Sequence, residues 1–147
     1  MTPLFRVVEP QSKDDFDSYF QFRWEVLRKP WGQPKGSERD ESDSMAIHRM
    51  ILDEKNTLIG VGMILLNSTE AAQIRFMGIK GNYRGMNLGN TIMESLELLA
   101  RKNKSSKIIL HSREGAVKFY EKNGFRIVEK SYLLFGEIQH YLMQKNL

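Results

Sequence analysis

Residues 74 to 90 constrain this chain more than any other stretch. They read Ile-Arg-Phe-Met-Gly-Ile-Lys-Gly-Asn-Tyr-Arg-Gly-Met-Asn-Leu-Gly-Asn. An apolar, strand-like run ends in a turn at Gly81 and Asn82, and a short glycine-bearing loop, Arg84 to Gly89, opens directly into an amphipathic helix. A strand, a turn and a helix start in that order build an anion site. Backbone N–H groups without intrahelical partners point outward, and the helix dipole adds partial positive charge. Glycines at 85 and 89 let the backbone approach a phosphate with no Cβ in the way. Ordinary turns also contain two glycines, so the rest of the chain has to separate a phosphate loop from a plain turn.

Upstream, Leu4 to Val8 is a short strand candidate closed by Pro10. Asp14 to Lys29 reads as a helix capped by Ser12 or Asp14 and stopped by Pro30. Its Phe16, Phe20, Trp24 and Leu27 form an aromatic stripe expected to face the core. Residues 30 to 44 carry Pro, Gly and charge without a core-facing pattern, so they read as a mobile or functional loop. Within it Trp31 either lines a pocket or pins the loop to the core. Met45 to Leu52 and Thr57 to Leu66 flank the turn signal Asp53 to Asn56 and read as a hairpin. A further turn at 67 to 70 leads into Ala72 to Ile79, where the interior Gly78 marks a bulge or a close backbone approach.

Downstream of the loop, apolar positions 88, 92, 96 and 99, widened by Met93 and Ala100, give a helix from Leu88 to Arg101. Lys107 to Leu110 is a buried-strand candidate. Glu114 to Lys122 is a second helix ended by Asn123-Gly124, and Phe125 to Phe135 and Ile138 to Gln144 are two closing strands. The order β-α-β-β-β-α-β-α-β-β describes an α/β (α+β) chain with no repeats, read as one domain over 1 to 147. A dinucleotide-binding fold is disfavoured, because Gly85 to Gly89 is not Gly-x-Gly-x-x-Gly and no regular βαβ series follows. The Gly-Lys-Ser/Thr ending of a nucleotide-triphosphate loop is absent too.

Composition removes several function classes. The 147 residues contain no cysteine, so disulfide and thiolate chemistry are excluded, and three histidines far apart in sequence argue against a metal site. No apolar run is long enough to cross a bilayer, and Met1 to Pro10 lacks a signal pattern, which makes the cytoplasm the expected compartment. A formal net charge of +4 suits an anionic ligand and is too small to argue for nucleic acid. The basic cluster Arg101, Lys102, Lys104 and Lys107 reads as a solvated helix end or as help for a ligand's phosphorylated tail.

Two segments together resemble a known family. Tyr-Arg-Gly-Met-Asn-Leu-Gly-Asn, 83 to 90, is similar to the acetyl-CoA pyrophosphate loop of the GNAT superfamily of N-acetyltransferases, usually Arg/Gln-x-x-Gly-x-Gly/Ala. Gly-Ala-Val-Lys-Phe-Tyr-Glu-Lys-Asn-Gly-Phe, 115 to 125, resembles the family's second signature, Ala-x-x-Phe-Tyr-x-x-x-Gly-Phe. The resemblance implies a GNAT-like fold, a mixed and mostly antiparallel twisted sheet of about six to seven strands flanked by about three to four helices. One position departs: Asn87 stands where the loop usually has glycine. Asn is the non-glycine residue that best tolerates positive φ, so the loop can keep its shape.

What the resemblance implies can be written residue by residue. The central strand, Phe76 to Lys80 with Met77, Gly78 and Ile79 at its centre, would bind the pantetheine amides of acetyl-CoA. The backbone of Arg84, Gly85, Met86, Asn87, Leu88, Gly89 and Asn90 would hold the pyrophosphate. Tyr120 matches the tyrosine that protonates the departing CoA thiolate. Attack by an amine requires a base or an ordered water. His111 and His140 are the leading candidates, with His140 in a Gln-His-Tyr stretch that resembles the ending of ElaA-like GNAT proteins. Trp31, Glu41, His48 and Arg75 are candidates for the acceptor side. The expected cosubstrate is acetyl-CoA without a metal, and the expected partner is a small-molecule or peptide amine; GNAT relatives are often dimers. Two other functions compete: a catalytically silent CoA-binding sensor or interaction module, and a nucleic-acid module resting only on the basic cluster.

Overall fold

The computed structural model describes residues 4–66 and 68–147. Asn67, the first residue of the turn expected at 67 to 70, lies outside them. The elements are β1 (Phe5–Val8), α1 (Lys13–Leu27), β2 (Ile47–Asp53), β3 (Leu58–Leu65), β4 (Ala72–Ile79), α2 (Leu88–Lys102), β5 (Lys107–Arg113), α3 (Val117–Lys122), β6 (Arg126–Leu134) and β7 (Ile138–Asn146). This is the order expected from the sequence. All seven strands join one sheet in the order β1-β2-β3-β4-β5-β7-β6. Every pairing is antiparallel except that of β4 with β5.

α1 starts at a capping box, in which Ser12 Oγ accepts from the Asp15 N–H at 3.0 Å and the Asp15 carboxylate accepts from the Ser12 N–H. Pro30 follows the helix and cannot continue it. The face it buries is not the expected aromatic stripe. Tyr19, Phe22 and Arg23 are buried, while Phe16, Phe20, Trp24 and Leu27 are only half covered. Residue size suggested one face, and a buried arginine, which a hydropathy pattern penalises, selected another. Arg23 Nη1 donates to Asp43 Oδ1 at 2.8 Å and to the Glu38 carbonyl at 3.1 Å, and Nη2 donates to the Tyr19 hydroxyl. This buried ion pair straps the 30–44 loop onto α1.

α2 covers the opposite face of the sheet. Leu88, Ile92, Met93, Leu96 and Ala100 are buried, as its periodicity predicts, and Leu99 is half-buried. Between the pairs Val61–Gly78 and Met63–Arg75, β4 contains one residue more than β3. The bulge falls on Phe76, whose φ is +54°, rather than on Gly78. Gly78 serves the other purpose open to it, close approach. A Cβ there would lie 3.1 Å from Val26 Cγ1 and 3.3 Å from Leu27 Cδ2 of α1. β5 also runs further than expected, because β7 pairs with it through Arg113–His140, which places His111 inside the strand.

Candidate active site

β4 and β5 pair only at Ala72–Ile108 and Gln73–Ile109, and then part. Beyond Gln73 the β5-facing backbone groups of β4 have no strand partner, which leaves an extended edge inside the sheet for a ligand with amide groups. The Phe76 bulge bends β4 where the gap opens.

The loop below the gap ends at α2. Asn87 is the helix N-cap in the left-handed conformation, φ 66° and ψ 18°, so the asparagine adopts the geometry for which glycine is usual. Its side chain makes no capping bond, and the first helical bond runs from Thr91 N–H to the Asn87 carbonyl at 3.2 Å. The N–H groups of Leu88, Gly89 and Asn90 thus lack intrahelical acceptors. Asn87 Oδ1 instead accepts from the Asn90 side chain, and Asn90 Oδ1 accepts from Asn123 Nδ2 at 2.9 Å. This row of amides ties the loop to the end of α3. Gly85 has φ +83° and open space around it, so its need is conformational. Gly89 also has a packing reason: a Cβ there would meet Phe119 Cζ at 2.9 Å, so this glycine lets α2 pass α3.

Tyr120 lies on α3 between the rings of Phe119 and Phe125, at centroid distances of 5.1 and 5.8 Å. Its hydroxyl donates to Met77 Sδ on β4 at 3.8 Å. Burial pushes the phenol up to about 12, so it remains a neutral donor at any physiological pH. The opposite face of the gap carries the histidines. Leu110 and Met143 share Tyr120's core cluster, and strand alternation turns His111 and His140 away from it. Both rings flank Tyr132 of β6, His140 stacked at 4.6 Å and His111 tilted at 5.2 Å. His111 Nδ1 is 3.0 Å from Ser131 Oγ. His140 Nδ1 lies 2.9 Å from the Ile138 carbonyl, which can only accept, so Nδ1 carries the proton and Nε2 keeps the lone pair of the neutral ring. Burial lowers both histidines; positive charge on His140, when it is protonated, and on Arg75 depresses His111 further, and Arg113 and Arg28 depress His140.

Of the other expected acceptor-side residues, Arg75 reaches this face and donates to Asp40 Oδ2 at 2.7 Å and Ser42 Oγ at 2.8 Å. Glu41, beside that pair, is exposed and takes no part in it, and Trp31 is exposed at the end of a single 3-10 turn after α1. His48 does not fit the acceptor role. It is buried beneath α1, with Nε2 donating to the Asp43 carbonyl at 2.8 Å and Nδ1 accepting from the Tyr19 hydroxyl at 2.9 Å. No ring nitrogen remains for a ligand. Burial holds its pKa below the ordinary value, so its stabilising contribution is full above pH 6.5 and is lost as pH falls toward the depressed folded value. Wild-type unfolding midpoints are expected to drop between pH 7 and pH 5, and His48→Gln to drop less steeply over the same range; an equal slope would remove His48 from that account.

Arg28, Ser131, Tyr132 and Phe135 also border this face, and sequence reasoning did not single them out; Phe76, expected only at the start of the pantetheine-binding stretch, joins them. The signal that brings them together is the fold. Among the described residues no three His, Cys, Asp or Glu side chains group to hold a metal, and no helix is long and apolar enough to cross a membrane.

The sheet thus opens between its parallel pair, above a helix whose N-terminus has no side-chain cap. The acetyltransferase (GNAT) domain model matches residues 33–147, and the chain belongs to that family. It is similar to the uncharacterized N-acetyltransferase YjcF of Bacillus subtilis, 27% identical over 141 residues, 96% of this chain and 99% of that one. Its fold superposes on that of Escherichia coli ElaA with a TM-score of 0.80 at 20% identity, over 99% of this chain and 100% of ElaA. An aminoglycoside 6'-N-acetyltransferase complexed with coenzyme A superposes with a TM-score of 0.78 at 15% identity, covering 97% and 96% of the two chains.

Proposed function

We propose that the protein moves an acetyl group from acetyl-CoA to a primary amine by direct attack. The observation that carries the reading is the parting of β4 from β5, with the Tyr120 hydroxyl against Met77 on one face and the His111–Tyr132–His140 cluster on the other. The free edge of β4 over Met77, Gly78 and Ile79 suits the pantetheine amides. The N–H groups of Leu88, Gly89 and Asn90 suit the pyrophosphate, within the loop that runs from Arg84 through Gly85 and Met86 to Asn87.

Acetyl-CoA supplies the activated carbonyl. The amine nitrogen bonds to it, the C–S bond breaks, the nitrogen's proton leaves to a base, and the sulfur departs as thiolate. His140 Nε2 is the base this geometry favours, directly or through a water, with His111 nearby, where a second positive charge is disfavoured. Tyr120 faces the sulfur side. With its phenol at about 12 and an ordinary thiol near ~8.5, complete proton transfer is uphill, so Tyr120 acts first as a hydrogen-bond donor to the developing thiolate.

A panel of amines with thiol release as the readout tests the reading. In wild type, kcat is expected to rise with pH as the histidine pair loses its proton, with an apparent pKa below 6.5, and to level off above it. His140→Gln is expected to flatten that limb. A limb that survives in both His140→Gln and His111→Gln would assign the proton to solvent.

A further inference from the structure

We propose that the amine acceptor carries an anionic group, carboxylate or phosphate, and that Arg28 binds it; this rests on the acyl-transfer reading and names its substrate class. Four arginines among the described residues are not exposed: Arg23, Arg28, Arg49 and Arg75. Arg23 pairs with Asp43, Arg49 with Glu9 and Arg75 with Asp40, whereas Arg28 has no carboxylate of the described residues within 4.0 Å. A half-buried guanidinium that contacts no carboxylate, with the buried Glu38 acting on it only from beyond ion-pair distance, has room for a ligand that supplies the charge.

The Arg28 fork is held in position rather than free to seek a partner. Nε donates to the Ser37 carbonyl and Nη1 to the Leu27 carbonyl, both at 3.1 Å. Both N–H groups of Nη2 and one of Nη1 remain for a ligand. The guanidinium carbon lies 5.5 Å from the Phe76 ring centroid and 5.4 Å from that of Phe135. Those two phenylalanines each have φ +54°, a conformation that is an outlier for a bulky residue and that persists where the surroundings impose it. One sits in the β4 bulge and the other at the β6–β7 turn, so residues distant in sequence meet at Arg28.

The fork lies on the same face of the sheet as the candidate base. Arg28 and Arg75 both face the Phe76 ring, at 5.5 and 4.6 Å, and Phe135, which Arg28 also faces, directly follows β6, whose Tyr132 stacks on His140. The positive charge of Arg28 is felt at both Tyr132 and His140. An amine presented to His140 would therefore place a substituent near Arg28. A carboxylate or phosphate there accepts two parallel N–H bonds from the fork, a geometry that a neutral substituent cannot match.

Matched acceptors test the assignment: phosphoethanolamine against ethanolamine, and β-alanine against its amide. Wild type is expected to favour the anionic member of at least one pair by about 10- to 100-fold in kcat/KM, the range of a charge-assisted hydrogen bond. The preferred pair distinguishes phosphate from carboxylate. Arg28→Gln is expected to erase that ratio and Arg28→Lys to restore part of it. Ratios near one in wild type, or a ratio that survives Arg28→Gln in a folded variant, overturn the assignment.

A second readout does not depend on turnover. With CoA saturating, inorganic phosphate or acetate is expected to shift the ring resonances of His111 and His140 saturably in wild type and not in Arg28→Gln. Such shifts without acyl transfer to any amine would sink the acyl-transfer reading and leave the anion site standing. Transfer that is equally fast to neutral and anionic amines, without such shifts, would do the reverse.

Discussion

Tyr120→Phe is expected to lower kcat by about 100-fold, the scale of a lost acid or donor, while acetyl-CoA affinity measured by calorimetry changes by less than about twofold. The hydroxyl's contact in the free protein is the Met77 thioether at 3.8 Å, a weak acceptor, so its loss costs the fold little. The ring keeps its place between Phe119 and Phe125. Charge develops on sulfur only as the C–S bond breaks, so a donor aimed there stabilises the transition state and not the bound thioester. Because the phenol titrates at about 12, no loss of rate from its ionisation is expected below pH 10. An unaltered kcat with a productive acceptor would reduce Tyr120 to packing under the Gly124 turn.

Asn87→Asp is expected to have two effects of opposite sign. A carboxylate at the N-cap of α2 meets the positive end of the helix dipole, which stabilises by about 0.3–1 kcal/mol at an exposed site, and it can still accept from the Asn90 side chain. The same carboxylate would face the pyrophosphate. Two like charges at about 4 Å repel by several kcal/mol near a protein surface, and solvent exposure reduces this to an expected 10- to 100-fold loss of acetyl-CoA affinity. Thermal unfolding and calorimetry on the same sample read both effects. Affinity equal to wild type would remove the phosphate role from the loop. This variant separates ligand binding from packing better than a substitution at Gly89, where any side chain first meets Phe119.

The fold was legible because its signals are local. β4 and α2 fell within a residue of where the preceding turn signal and the 88, 92, 96 stripe put them, and the chain order alone led to the element order. The legible parts of the site were backbone features: the Gly85 turn, the start of α2 and the left-handed Asn87 depend on residues adjacent in sequence. Errors arose where partners are distant. The core face of α1 was misplaced because a buried Arg23–Asp43 pair turned it, and His48 was offered to an acceptor although Tyr19 and Asp43 already use both its nitrogens.

The sequence by itself determined the order of helices and strands, because it follows from periodicity and capping; its resemblance to a family's contiguous motifs nominated the Arg84–Asn90 loop and Tyr120. Only the tertiary structure decided which groups share the β4–β5 gap. His111, Tyr132 and His140 become neighbours through the β5–β7–β6 register. Arg28 joins them because two strained phenylalanines, one in the β4 bulge and one in the β6–β7 turn, pack near its guanidinium. Such juxtapositions are set by long-range packing, in which charge pairing and van der Waals contact outweigh local propensity, and they leave no periodic trace along the chain.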